Sequence, residues 1–210
     1  MFGRNDGLPV LLVLASTYPR WLGDPEPGFV HELCKRLTDR FRVIALSPHA
    51  AGAPTREVME GVLVLRYRYA PEVLETLVND GGIVANMSRA PWKWLLLPGF
   101  LFGLLWSAWR VITRERPDVV HAHWLIPQGL VIGVLGVLDR RTPPFLATSH
   151  GADYLQLLDH DGELTVPAGV RVQPTTLFVD ASGRIVLQKS GELTQAKLDA
   201  AITEAFGELS

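Results

Sequence analysis

Apolar residues along this chain gather into short continuous runs, separated by loops rich in Pro, Gly and Asp. "PVLLVLAS" (9–16) is the first such run, and unbroken apolarity over that length predicts a strand covered on both faces. "FVHELCKRLTDR" (29–40) instead spaces Phe29, Leu33 and Leu37 by four, which predicts a helix. "FRVIALSP" (41–48) and "GVLVLRYRYAP" (61–71) predict two more strands, and "WKWLLLPGFLFGLLWSAWRVITRER" (92–116) one long apolar helix. Strand, helix and strand follow in "PDVVHAHW" (117–124), "PQGLVIGVLGVLD" (127–139) and "PPFLATSHG" (143–151). This alternation predicts an α/β fold with a doubly wound, mostly parallel sheet. Its strands should run through 9–14, 42–46, 62–66, 118–121 and 144–148.

The texture changes after about residue 155. "PTTLFVDASGRIVLQKSGELTQAKLDAAITEAFG" (174–207) predicts two strands around an Asp-Ala-Ser-Gly turn, then a helix from Thr194 to Phe206. Leu198, Ile202 and Phe206 recur every four residues and form its apolar face. A lone two-stranded hairpin is marginal in water, so this tail is expected to dock on an open edge of the larger sheet. The chain therefore divides into a domain at 1–155, a junction at 156–166 and a C-terminal segment at 167–210.

Charge and cysteine content narrow the picture. The net charge of −2 over 210 residues gives no electrostatic case for nucleic acid as a partner. Cys34 is the single cysteine, which excludes an internal disulfide, a CxxC pair and a cysteine zinc cluster, and fits a reducing compartment. The first apolar run leads into Tyr18, Pro19 and Arg20 where a cleavage site would want small residues, so it reads as a core strand. The uncharged stretch 94–109 has sixteen residues, against the roughly 20 that a spanning helix needs. Trp92, Trp94, Trp106 and Trp109 bracket it, with Lys93 and Arg110 beside them. A buried or interface helix is the first reading, and contact with a membrane surface through 92–110 is the second.

Candidate chemistry lies at strand ends. His121 and His123 close one strand and His150 another, and in a parallel sheet both ends point to the same edge, where ligands bind. Neutral imidazole donates and accepts hydrogen bonds, which suits sugar hydroxyls; protonated, it suits phosphate. Gly28 opens the first helix, where a missing side chain lets a ligand approach and free N–H groups form an anion site. A turn glycine is the plainer reading of that position. Nothing in the sequence has the pattern of a metal site.

"LASTYPRWLGDPEPGFVHELCKRL", "VLRYRYAP", "ERPDVVHAHWLIPQGL" and "FLATSHGADYL" together resemble the N-terminal half of a family-four retaining glycosyltransferase of GT-B fold, over about residues 8–155. The resemblance implies a Rossmann-like acceptor-side domain, half of the GT-B fold, and a nucleotide-diphosphate sugar as donor substrate, with no separate cofactor. It implies hexosyltransferase-type transfer to a glycan or lipid-linked acceptor. It places Pro27 and Gly28 near the donor diphosphate, and His123 near the donor sugar as the candidate catalytic residue, with His121 beside it. It also places His150, Gly151 and Asp153 in a His-Gly-x-Asp turn of the same site. The basic pair and acidic motif expected of the family's second domain do not appear, so little or no activity is expected of this chain alone.

The tail resembles the C-terminal half of a thioredoxin-like domain, over about 165–207, with Pro174 in the place of that family's cis-proline. Its redox cysteines have no counterpart here. Two half-families in one chain imply a fusion, a truncation or an artificial sequence. The leading expectation is a cytoplasmic glycosyltransferase domain, peripheral on the inner membrane face if the membrane reading of 92–110 holds. The alternatives are a thioredoxin-like binding module without redox cysteines, and a non-catalytic membrane-peripheral α/β protein.

Overall fold

The structure, a computed structural model, describes residues 7–24, 28–79, 81–149, 175–180, 184–191 and 193–207, without the side chains of 149 and 195. The fold is α/β, with eight strands among the described residues. It divides into two compact units, residues 1–120 and 121–210.

The first unit is built on β1 (Val10–Leu14), β2 (Arg42–Pro48), β3 (Arg56–Met59) and β4 (Val62–Tyr67), in the order β3-β4-β2-β1. β1 pairs with β2 in parallel, Leu12 opposite Ile44, and β2 pairs with β4 in parallel, Ile44 opposite Leu63. Successive strand residues point to opposite faces, and Leu11 to Leu14 and Val43 to Leu46 are all buried. Both faces of the sheet are therefore covered, as the unbroken apolar runs require. β3 was not expected. It runs antiparallel to β4 through a turn in which Glu60 has φ 46° and Gly61 φ 87°, the paired positive angles of a tight hairpin.

Helix α1 (Phe29–Arg36) is shorter than the expected 29–40, and its inner face is different. Val30, His31 and Cys34 turn inward, with Leu37 just beyond the helix, while Phe29 is exposed. Polar His31 and Cys34 occupy core positions that a purely apolar count passes over. Helix α2 (Gly82–Arg89) was also unexpected. The long apolar segment is a 3-10 stretch (Pro91–Leu96) leading into helix α3 (Leu97–Glu115), because Pro98 is tolerated only in a first helical turn. By length and composition Pro91–Glu115 could cross a membrane, yet Phe100, Leu104, Ala108 and Ile112 are buried and α3 packs on β2 and β4. Phe102 and Trp106 face outward.

Strand β5 (Val119–His123) begins at the end of the first unit and ends in the second. The second unit continues through an irregular turn (Leu125–Gly129), helix α4 (Leu130–Leu138) and β6 (Phe145–Ser149). The tail then supplies β7 (Thr175–Val179), β8 (Ile185–Ser190) and helix α5 (Gln195–Phe206). β7 and β8 pair antiparallel, as the turn chemistry of the sequence anticipates. β7 also pairs antiparallel with β6, Ala147 opposite Leu177, so the hairpin docks on a sheet edge as expected. α5 buries Leu198, Ala201 and Ile202, and the Phe206 ring sits 6.2 Å from that of Phe178.

Candidate functional site

In the first unit, a line of polar side chains runs along α1, from the loop after β1 to the turn before β4. Tyr18, on the loop after β1, shares a 2.8 Å hydrogen bond with His31 Nδ1, and His31 Nε2 lies 3.0 Å from a Glu60 carboxylate oxygen. Lys35 donates to the other Glu60 oxygen. Burial raises the Tyr18 hydroxyl well above its ordinary range and pushes the Cys34 thiol up to about 12. Hydrogen bonds from Lys35 and His31 hold the exposed Glu60 carboxyl below its usual range.

A second cluster follows β2 and β4. His49 and Glu75 are almost fully buried and hydrogen-bonded to each other through His49 Nδ1. The other His49 nitrogen reaches the Ala53 carbonyl at 2.7 Å. Arg68 Nε donates to Glu75 at 2.9 Å, and the Tyr69 backbone N–H at 3.2 Å. Glu75 thus ties the ends of two parallel strands together. Sequence reasoning passed over both clusters, because Tyr18, His31, His49 and Glu75 stand singly in loops or among apolar neighbours.

Gly28 sits at the start of α1 with φ −86°, a backbone angle open to any residue. A β-carbon there would meet only Pro19 Cγ, at 3.7 Å, an ordinary contact. The backbone conformation and the surrounding space therefore do not require glycine at 28. Its carbonyl accepts from Glu32 N at 2.9 Å, so the helix is already wound from this residue.

In the second unit, His121 and His123 are two residues apart on a strand and share one face, with ring centroids 4.1 Å apart. Both are nearly fully buried, at 3% and 2% exposure. His121 Nε2 lies 2.9 Å from Thr148 Oγ1 on β6, and that hydroxyl lies 3.3 Å from Thr176 Oγ1 on β7. Trp124, next in the chain, holds φ 73° and ψ 137°, a strained conformation for a bulky residue, and its ring stands edge-on to His123 at 6.2 Å. Backbone bonds Trp124 N to Thr148 O (2.9 Å) and Gly129 N to Trp124 O (3.1 Å) fix it there. Strain of this kind gathers at ligand sites.

The structure thus brings His121 and His123 together on the end of β5 and places Gly28 at the head of α1. Pro27, His150, Gly151, Asp153 and Pro174 lie outside the described residues. Among the described residues, no group of three or more His, Cys, Asp or Glu could hold a metal ion. No curated protein matches the chain. The family model of Glycosyltransferase Family 4 does match, from residue 29, where α1 begins, to residue 167. That is more than half of the 210 residues, and the chain belongs to Glycosyltransferase Family 4.

Proposed function

We propose that this chain is the acceptor-side domain of a retaining glycosyltransferase that uses a nucleotide-diphosphate sugar. The observation that carries the reading is the His121–His123 pair at the carboxyl end of β5, inside the family-matched segment and followed by strained Trp124. An imidazole held there against the threonine hydroxyls of β6 and β7 offers a fixed hydrogen bond to a sugar hydroxyl. In this reading His123 meets the donor sugar and His121 orients it. Gly28 leaves room at the head of α1, whose positive dipole end favours the developing charge of a departing diphosphate. The family resemblance also assigns Pro27, His150, Gly151 and Asp153 to donor binding.

In this reading the chain contributes substrate binding to the transfer reaction. The β7–β8–α5 arrangement supports a thioredoxin-like tail kept for its fold, since the single cysteine is buried far from redox reactivity. The test is a thermal-shift series with nucleotides, nucleotide-diphosphate sugars and free sugars. Stabilisation by a nucleotide sugar that His123→Ala and Gly28→Val both abolish supports the reading. Equal responses in all three proteins would overturn it.

The outer face of the 3-10 stretch and α3 favours a second component, contact with a membrane at the cytoplasmic face. Trp92, Trp94, Leu95, Phe102 and Trp106 are exposed, and the Phe102 and Trp106 rings stack at 6.4 Å. Aromatic rings beside Lys93 and Arg110 suit a headgroup layer, and a lipid-linked acceptor would lie there. Vesicle sedimentation of Phe102→Ser and Trp106→Ser against the parent chain tests this. Unchanged vesicle binding in both variants counts against it.

A further inference from the structure

Register gathers an unused set of charges on the α3 side of the first unit. Leu46 pairs with Leu65, and Leu65 with Arg56, so one row crosses β2, β4 and β3 on a single face. Ser107, Arg110 and Arg114 on α3 line the same cavity, of about 360 Å³, as does Tyr67 at the end of β4. That volume is at the small end of the range for small-molecule pockets.

Arg56, Arg110 and Arg114 line one small space, together with Arg66 and Glu115. The neighbouring charged groups are already engaged: Arg66 donates to the carbonyls of Pro54 and Pro19 and pairs with Glu57, and Glu115 accepts from Arg42 at 3.0 Å. Among the described residues, Arg56, Arg110 and Arg114 meet no carboxylate. Tyr67 contributes to the cavity wall, while its hydroxyl is buried beneath that wall and not open to the cavity. Arg56, Arg110 and Arg114 are all exposed, so an anion reaches them from solvent, and it would relieve the repulsion between like charges at i and i+4.

We propose that this cavity binds the phosphate group of a small organic phosphate. A phosphate ester offers acceptor oxygens, which match planar guanidinium forks and the Ser107 hydroxyl as donors. Leu46 and Leu65 supply an apolar floor for the organic part. The site is formed within the first unit and does not depend on the transferase reading. A soluble sugar phosphate and a lipid headgroup present the same group, and the test separates them.

The experiment titrates the full chain by calorimetry with glycerol 3-phosphate and with pyrophosphate. In parallel, it sediments the chain with phosphatidylcholine vesicles with and without phosphatidylglycerol. Arg110→Ala/Arg114→Ala, Arg56→Ala and Tyr67→Phe are compared with Arg184→Ala, a control on the tail. Saturable binding weakened about tenfold or more by the arginine variants, and unchanged by Tyr67→Phe, is expected, since each bond lost with an arginine is charge-assisted. Tyr67→Phe keeps the ring, so its melting temperature reports whether folding is intact. Arginine-dependent binding of the soluble probes alone identifies a free phosphate, and arginine-dependent binding of the anionic vesicles alone identifies a headgroup. Binding of neither, or binding that all variants share with the control, overturns the proposal.

Discussion

Gly99 lies so close to Tyr69 that a β-carbon on it would stand 2.5 Å from the Tyr69 carbonyl oxygen. One helical turn on, a β-carbon at Gly103 would stand 3.0 Å from the Arg68 carbonyl and from the Tyr67 ring. The two glycines let α3 lie directly on the backbone that leaves β4. Gly99→Ala must therefore push the helix or the strand end aside, because backbone cannot swing away as a side chain can. We expect a loss of about 1–3 kcal/mol, the usual cost of overpacking. Gly133→Ala on α4 would meet only Phe145 Cζ at 3.9 Å, and should be neutral or slightly stabilising. Urea denaturation midpoints of the two variants check the contrast, and similar midpoints would refute it.

Glu75 offers a test of the buried cluster. Its carboxylate serves His49, Arg68 and the Tyr69 N–H, and its side chain is fully buried. Removing it strands His49 in the interior and releases both strand ends. Glu75→Ala is expected to cost about 1–3 kcal/mol, the range for leaving a buried hydrogen-bonding group without its partner. Arg68→Ala should cost far less, since Arg68 is 44% exposed and water replaces its partner. Thermal unfolding of both variants gives the order, and a larger loss in Arg68→Ala would show that Glu75 does not organise the cluster.

Particular residues show what the sequence makes legible. β1, β2 and β4 are readable because they are buried on both faces and so carry unbroken apolar runs. β3 alternates Arg, Glu, Val and Met at an edge, and its Glu60-Gly61 turn lacks the Asn or Asp that signals a hairpin. His121 and His123 stand out because a spacing of two puts both on one strand face. Their depth of burial is invisible in sequence, since it depends on β6, whose Thr148 meets His121. The arginine cavity joins Arg56 to Arg110 and Arg114 across more than fifty residues of chain, so register and helix packing, not a motif, create it.

Cys34 should be chemically silent in the native protein. It is fully buried on the inner face of α1, and burial pushes its thiol up to about 12, leaving almost no thiolate near neutral pH. A thiol reagent such as a disulfide chromophore is expected to label the folded chain only as fast as α1 opens. Labelling should become immediate in denaturant. Rapid labelling of the native chain at about pH 8, near the ordinary thiol range, would contradict this packing of α1.

The Glu60 network sets a pH dependence with a definite sign. Lys35 first, then His31, hydrogen-bond the Glu60 carboxyl and lower its pKa in the folded protein. A carboxyl with a folded value below its unfolded one contributes stability that is complete above the unfolded value, about 4.3. That contribution fades as pH falls through the lower folded value, because protonation then breaks the bonds to both partners. Lys35 is raised by the same hydrogen bond, so the two partners agree in direction. Glu60 and Lys35 are both partly open to water, so the effect should be modest and should shrink with added salt. The expected result is a melting temperature that falls less steeply in Glu60→Gln than in the parent chain between about pH 5 and about pH 3. The hairpin turn that carries Glu60 stays intact in that variant, since glutamine accepts the same left-handed backbone at no greater cost. Parallel pH profiles for the two proteins would mean that the network seen around Glu60 carries no net stability.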